Sequence, residues 1–175
     1  MHPIIAQGLG YLALFFVILS FQKNRRRSVL WLMLVGVLLF VVHYSLLHAW
    51  TGALMNIIEA GVVYVAYQKE KAAWAKKSYW PYLFIALFII AGLMASRTLI
   101  SCLPILAQIF GTIAVWQKSP RSIRFIMLAP RPLWFIYNFA VGSQAGMVAE
   151  VFILASVVSG IVRFDILKKP RKNTA

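Results

Sequence analysis

Phe21-Gln22-Lys23-Asn24-Arg25-Arg26-Arg27-Ser28 and Trp116-Gln117-Lys118-Ser119-Pro120-Arg121-Ser122 are two copies of one phrase, the second a residue shorter. Each follows a membrane-length apolar run. Beyond that single gap the two halves stay in register at an offset of 94 residues, with Gly52 over Gly146, Asn56 over Glu150 and Lys69 over Arg163. A unit repeated in this way predicts a small transporter assembled from two fused halves.

The composition sets the class. The 175-residue chain is 62% hydrophobic and 13% charged, against about 45–50% apolar in an average chain. Apolar spans of about 20 residues each leave no room for a separate soluble domain. A polytopic membrane protein is expected. The net charge of +14 raises the question of nucleic acid, since basic patches bind phosphate. Here, however, the basic residues punctuate apolar runs, as membrane orientation requires, so no nucleic-acid partner is expected. Cys102 is the only cysteine, which excludes an intramolecular disulfide and a cysteine-rich metal site. No Lys or Arg precedes the first apolar run, so no secretory signal peptide is expected.

Apolar runs of membrane length predict an all-α bundle of seven transmembrane helices, at Ile4–Phe21, Val29–Leu47, Thr51–Gln68, Trp80–Ala95, Leu99–Trp116, Ile123–Val141 and Gln144–Phe164. Of the 18 Lys and Arg residues, all but Arg97 and Arg131 fall in the loops after helices 1, 3 and 5 or at the C-terminal end. The positive-inside rule then places the N-terminus outside and the C-terminus in the cytoplasm. The expected organisation is 3+1+3. Residues 1–68 form the first three-helix repeat, 69–98 a cytoplasmic loop with a linker helix, and 99–175 the second repeat with a basic tail. The linker helix keeps the two repeats parallel.

The Gln-Lys-to-Arg-Ser phrase closing helices 1 and 5 resembles the cytoplasmic motif of the PQ-loop superfamily, which includes the SWEET sugar transporters. The whole chain is similar to the YgjV-type family of bacterial inner-membrane proteins. The stretches that carry this likeness are Ser20-Phe21-Gln22-Lys23, His43 with Leu46-Leu47, Thr51-Gly52-Ala53-Leu54-Met55-Asn56, Pro132-Leu133-Trp134-Phe135-Ile136-Tyr137-Asn138 and Arg163-Phe164-Asp165. The resemblance implies the fold and the location; it implies no particular solute. Two departures stand out. Phe21 and Trp116 replace the proline that precedes each glutamine in the superfamily motif, and Pro104, Pro130 and Pro132 offer kinks elsewhere. Asn56 matches the asparagine used by the SWEET proteins, whereas its repeat mate is Glu150.

Ionisable groups inside hydrocarbon cost about 2.5–3.5 kcal/mol on insertion scales, so they face a bundle interior or a cavity. Glu59, Arg131 and Glu150 are such groups, and His43, Asn56, Gln108 and Asn138 are the main neutral polar additions. Glu59 and Arg131 fall near the middles of helices 3 and 6, so an ion pair between them is expected. The repeat sets Asn56 opposite Glu150 and Tyr44 opposite Asn138, which predicts convergence on the pseudo-symmetry axis. The expected solute-binding set is Asn56, Glu59, Arg131, Trp134, Asn138 and Glu150, with Gln22, His43 and Gln117 in gating or coupling. A purely structural account is available for several of these: Glu59–Arg131 as a helix lock, Arg131 as a partner for carbonyls freed by the adjacent prolines, His43 as an interfacial hydrogen-bonder, Trp134 as packing, and the glutamines as helix caps. No catalytic motif or metal-ligand spacing is present, so the expectation is no enzyme, no cofactor and no metal. The expected partners are membrane lipid and a small polar solute, the oligomeric state being open. The alternative function is a non-transporting membrane scaffold or regulator.

Overall fold

The structure, a computed structural model, describes residues 2–23, 25–95 and 98–167. Arg97 and the basic tail from Lys168 onward, both used above to orient the chain, lie outside the described residues. Eight α-helices and no strand occur among those described. These are α1 (His2–Phe21), α2 (Arg26–Leu46), α3 (Trp50–Gln68), α4 (Trp80–Ala95), α5 (Leu103–Val115), α6 (Pro120–Ile126), α7 (Pro130–Ala140) and α8 (Gln144–Ile161). A 3-10 turn at Ile100–Cys102 leads into α5, and a π-helical turn at Val162–Ile166 continues α8.

The sixth predicted helix is where the structure departs from expectation. A continuous segment over Ile123–Val141 is replaced by α6 and α7, separated at residues 127–129. Pro130 and Pro132 lack the amide protons an uninterrupted helix would need there. The chain tightens instead, Leu128 N bonding to Phe125 O and Ala129 N to Ile126 O. Pro130 then opens α7 at a position where its missing donor is tolerated.

Among the described residues three stretches, Ile4–Phe21, Arg26–Leu46 and Gln144–Ile166, are long and apolar enough to cross a membrane; Trp80–Met94 and Ile100–Val115 are apolar but shorter. Their apolar side chains turn outward as well as inward. On α8, Val151, Phe152, Leu154 and Val158 are exposed, while Ala149, Glu150, Ile153 and Val157 are buried. On α4, Phe84 and Phe88 face the bundle, while Leu83, Leu87, Ile90, Leu93 and Met94 are exposed. An apolar outer surface with carboxylates inside inverts the pattern of a water-soluble bundle.

Packing follows the sequence repeat. In the first half α2 lies between α1 and α3; in the second, α7 lies between α5 and α8. Across the halves, α1 packs on α8 and α3 packs on α5, so the first helix of each half meets the third helix of the other. That reciprocity is what a two-fold relation between halves requires. Helix α4 packs against α3 and α5. The turns repeat the relation, since His48 (φ 55°) and Gly142 (φ 67°), 94 positions apart, adopt the same left-handed backbone. Glycine takes that conformation freely, whereas a non-glycine residue rarely does.

Candidate functional site

A cavity of about 60 Å³ lies among α1, α2, α3, α5, α7 and α8. Its wall pairs residues at the repeat offset: Met33 with Met127, Val37 with Arg131, Phe40 with Trp134, Asn56 with Glu150, and Glu59 with Ile153. Equivalent residues of two related halves meet only near the axis that relates them. Tyr44 and Asn138, also offset by 94, touch directly, the tyrosine hydroxyl donating to Asn138 Oδ1 at 2.9 Å. The ring of Tyr44 stacks on Trp134, with centroids 6.3 Å apart and planes at 22°.

Arg131 enters the cavity from the first turn of α7. Its Nε donates to Met127 O at 3.2 Å, taking up a carbonyl at the proline break. Its Nη1 donates to Glu150 Oε2 at 3.0 Å. The expected Arg131–Glu59 pair is therefore replaced by Arg131–Glu150. The break between α6 and α7 makes Arg131 a helix-start residue rather than a mid-helix one, and matching depth along a continuous helix no longer applies. A cation at a helix N-terminus also opposes the helix dipole, which the carboxylate of Glu150 offsets. Glu59 instead accepts from Gln108 Nε2 at 2.8 Å.

All four acidic residues of the chain have a defined partner. Asp165 is gripped by Arg124 through two bonds of 2.8 Å, with side chains only 6% and 7% exposed. Glu70 pairs with Arg26 at 3.3 Å, Glu150 has Arg131, and Glu59 has a neutral amide. A hydrogen bond to a charged group contributes about 1.5–3 kcal/mol net, whereas a lone buried ion costs several kcal/mol after relaxation. Glu59 is half-buried on the cavity wall, and its bonded partner is the neutral Gln108 amide.

The other expected site residues are distributed around this centre. Asn56 lines the cavity, and its amide donates to Gly52 O at 2.8 Å within its own helix. Trp134 lines it as well. Asn138 does not: it sits one layer further along the axis, fully buried, and its Nδ2 finds no partner among the described residues. Gly146 makes room for it, since a Cβ there would collide with the Asn138 amide.

His43, expected at an interface, is fully buried. Its Nδ1 donates to Ala6 O at 2.7 Å, and its Nε2 lies 3.3 Å from Ser143 Oγ, the hydroxyl that caps α8. Gly10 allows that fit, because a Cβ there would stand 2.8 Å from Nδ1. Gln117 caps its own helix end, donating to Ile113 O at 3.0 Å. Its copy Gln22 bridges the halves instead, Nε2 donating to Ser156 Oγ at 2.9 Å.

The contacts between halves therefore fall in two layers. At the end carrying the basic loops, Gln22 meets Ser156, and Arg26 donates to Val115 O at 3.1 Å. Burial, and then the charges of Arg26 and Lys118, hold the Lys69 ammonium there below its ordinary range. At the opposite end Tyr44 meets Asn138, His43 meets Ser143, and Gln7 Oε1 accepts from Ala145 N at 3.1 Å.

Ser143 and the Arg124–Asp165 pair were not expected at the site, and Gln108 and Tyr44 stood outside the expected solute-binding set. Tyr44 was legible only as the mate of Asn138. Asp165 carried two signals: it is the sole aspartate of the chain, and it closes the Arg163-Phe164-Asp165 stretch.

An all-helical chain with apolar outer faces, membrane-length helices and carboxylates gathered at its centre is a helical membrane protein. Residues 4–168 match the Imp-YgjV family, described as bacterial inner membrane protein. The chain belongs to that family and is a bacterial inner-membrane protein. No curated protein and no solved structure matches it.

Proposed function

We propose that the protein is a carrier of a small polar solute. In this reading the chain crosses the membrane seven times in a 3+1+3 plan, with α6 and α7 together forming the sixth crossing and α4 the linker. Its N-terminus faces outward, its basic loops face the cytoplasm, and it is related in plan to the PQ-loop proteins. The supporting observation is that pairs of residues at the repeat offset line the cavity. A binding site on the seam between two related halves becomes accessible from either side as one half rocks against the other.

The cavity volume bears on the state of the carrier. A water needs about 10–15 Å³ of such volume, and pockets for drug-sized ligands run to about 300–1,000 Å³. At about 60 Å³ the cavity has room for a few waters, with inter-half contacts at both ends. That matches an occluded carrier. Opening either side means breaking either the Gln22/Arg26 layer or the Tyr44/His43 layer.

The same small volume favours a second reading, a non-transporting scaffold whose polar groups only pair with one another. A thermal-shift screen of the purified protein against polar and cationic metabolites separates the two. A carrier yields a ligand that raises the melting temperature, about 2.7 kcal/mol of stabilisation at a hundred times Kd. The Glu59→Ala/Glu150→Ala protein then loses both the shift and uptake in proteoliposomes. Unchanged uptake by that double variant would sink the carrier assignment.

A further inference from the structure

We infer that Glu59 is the exchangeable-proton site of the central cavity, while Glu150 is paired with Arg131. Among the four acidic residues of the chain, Glu59 is the one whose bonded partner is neutral: Gln108 donates a single amide bond to Oε2 at 2.8 Å. The other three carboxylates each meet a guanidinium within 3.3 Å. The cavity wall therefore holds two carboxylates and one arginine, and the arginine is engaged by Glu150.

The surroundings of Glu59 offer it no bonded counter-ion among the described residues. Helix α3 packs against α2, α4 and α5. Of these, α2 brings Tyr44, already donating to Asn138, and His43, bonded to Ala6 and facing Ser143. The titratable residue of α4 is Tyr82, exposed near its start, and α5 has no ionisable side chain. Across the cavity stand Arg131 of α7 and Glu150 of α8, already paired with one another. A carboxylate in this setting is compensated by a proton or by an arriving cation. The cavity holds room for either, and not for a bulky counter-ion.

The exchange balances simply. The Glu59 carboxyl O–H bond breaks as a cationic solute enters, and the proton leaves to water on the side to which the cavity opens. When the solute departs, a proton from the other side restores the carboxyl group. This exchange rests on the carrier reading; the resting protonation of Glu59 does not.

Infrared spectroscopy of the full-length protein in lipid tests the resting state without any solute. At neutral pH the wild-type protein is expected to show a protonated-carboxyl stretch that shifts in deuterated water. The band is lost in Glu59→Gln and retained in Glu150→Gln. Labelling with a hydrophobic carbodiimide, read by mass spectrometry, provides a second measure: adduct on Glu59, none on Glu150, and declining yield as pH rises. A band that survives Glu59→Gln, or vanishes in Glu150→Gln, overturns the assignment. So does the absence of any protonated-carboxyl band at neutral pH, the result that a bound metal cation would produce. None of these outcomes depends on transport, so a failed carrier assay and a failed proton site are separately visible.

Discussion

Arg131 shows how much a single side chain does at this centre. It takes up the Met127 carbonyl at the proline break and compensates Glu150, with both side chains of the pair nearly buried (12% and 10% exposed). Removing one member of such a pair leaves the other charge buried and unpaired, a loss of about 3–5 kcal/mol, whereas replacing both with apolar groups is often neutral. Arg131→Leu is therefore expected to destabilise the protein by about that amount, and Arg131→Leu/Glu150→Leu to recover most of it. Denaturation in detergent micelles measures the cycle. Equal losses in the single and double variants would show that Arg131 acts mainly through the Met127 carbonyl.

The helix-joining turns are the element-scale counterpart. The α2–α3 and α7–α8 connections share one left-handed residue at equivalent positions, His48 in the first and Gly142 in the second. A Cβ at Gly142 would meet nothing within 4 Å, so a substitution there reports backbone strain alone. The left-handed conformation disfavours an L-residue by roughly 1–2 kcal/mol. Gly142→Ala is expected to lose about that much stability. His48→Gly is expected to hold or gain, less the ring contact of His48 with Trp50 at 5.8 Å. Chemical denaturation of the two variants side by side checks both signs. A stabilising Gly142→Ala would mean that the two turns do not share a conformation in the membrane.

At the scale of the molecule the two-fold relation decides where symmetry is kept and where it is broken. The pairing of α1 with α8 and of α3 with α5 keeps it. The residues break it: Val37 becomes Arg131, Asn56 becomes Glu150, and Glu59 is matched by Ile153. The two glutamines of the repeated phrase diverge too, Gln117 capping its own helix while Gln22 ties α1 to α8. Orientation is testable at this scale. With Cys102 replaced by serine, single cysteines at Gly142 and at Ser78 should react with a membrane-impermeant maleimide on opposite sides of inner-membrane vesicles, Ser78 on the cytoplasmic side. Labelling of both from one side would overturn the topology.

The sequence by itself determined the class of protein and the positions of most of its helices. Apolar runs and basic punctuation are local signals, and five predicted segments began and ended within about three residues of the observed helices. The same reading found the cavity-lining Asn56, Glu59, Arg131, Trp134 and Glu150, because polar groups in apolar helices have few places to go. Which of them pair was decided only by the tertiary structure. Pairing depends on helix rotation and on the break at Pro130, and neither follows from depth along a helix. Moving Arg131 to a helix start gave it to Glu150. Gln108, reaching across from α5, was left to Glu59. The chain chose its polar residues locally, and their partners came from how the two halves close on each other.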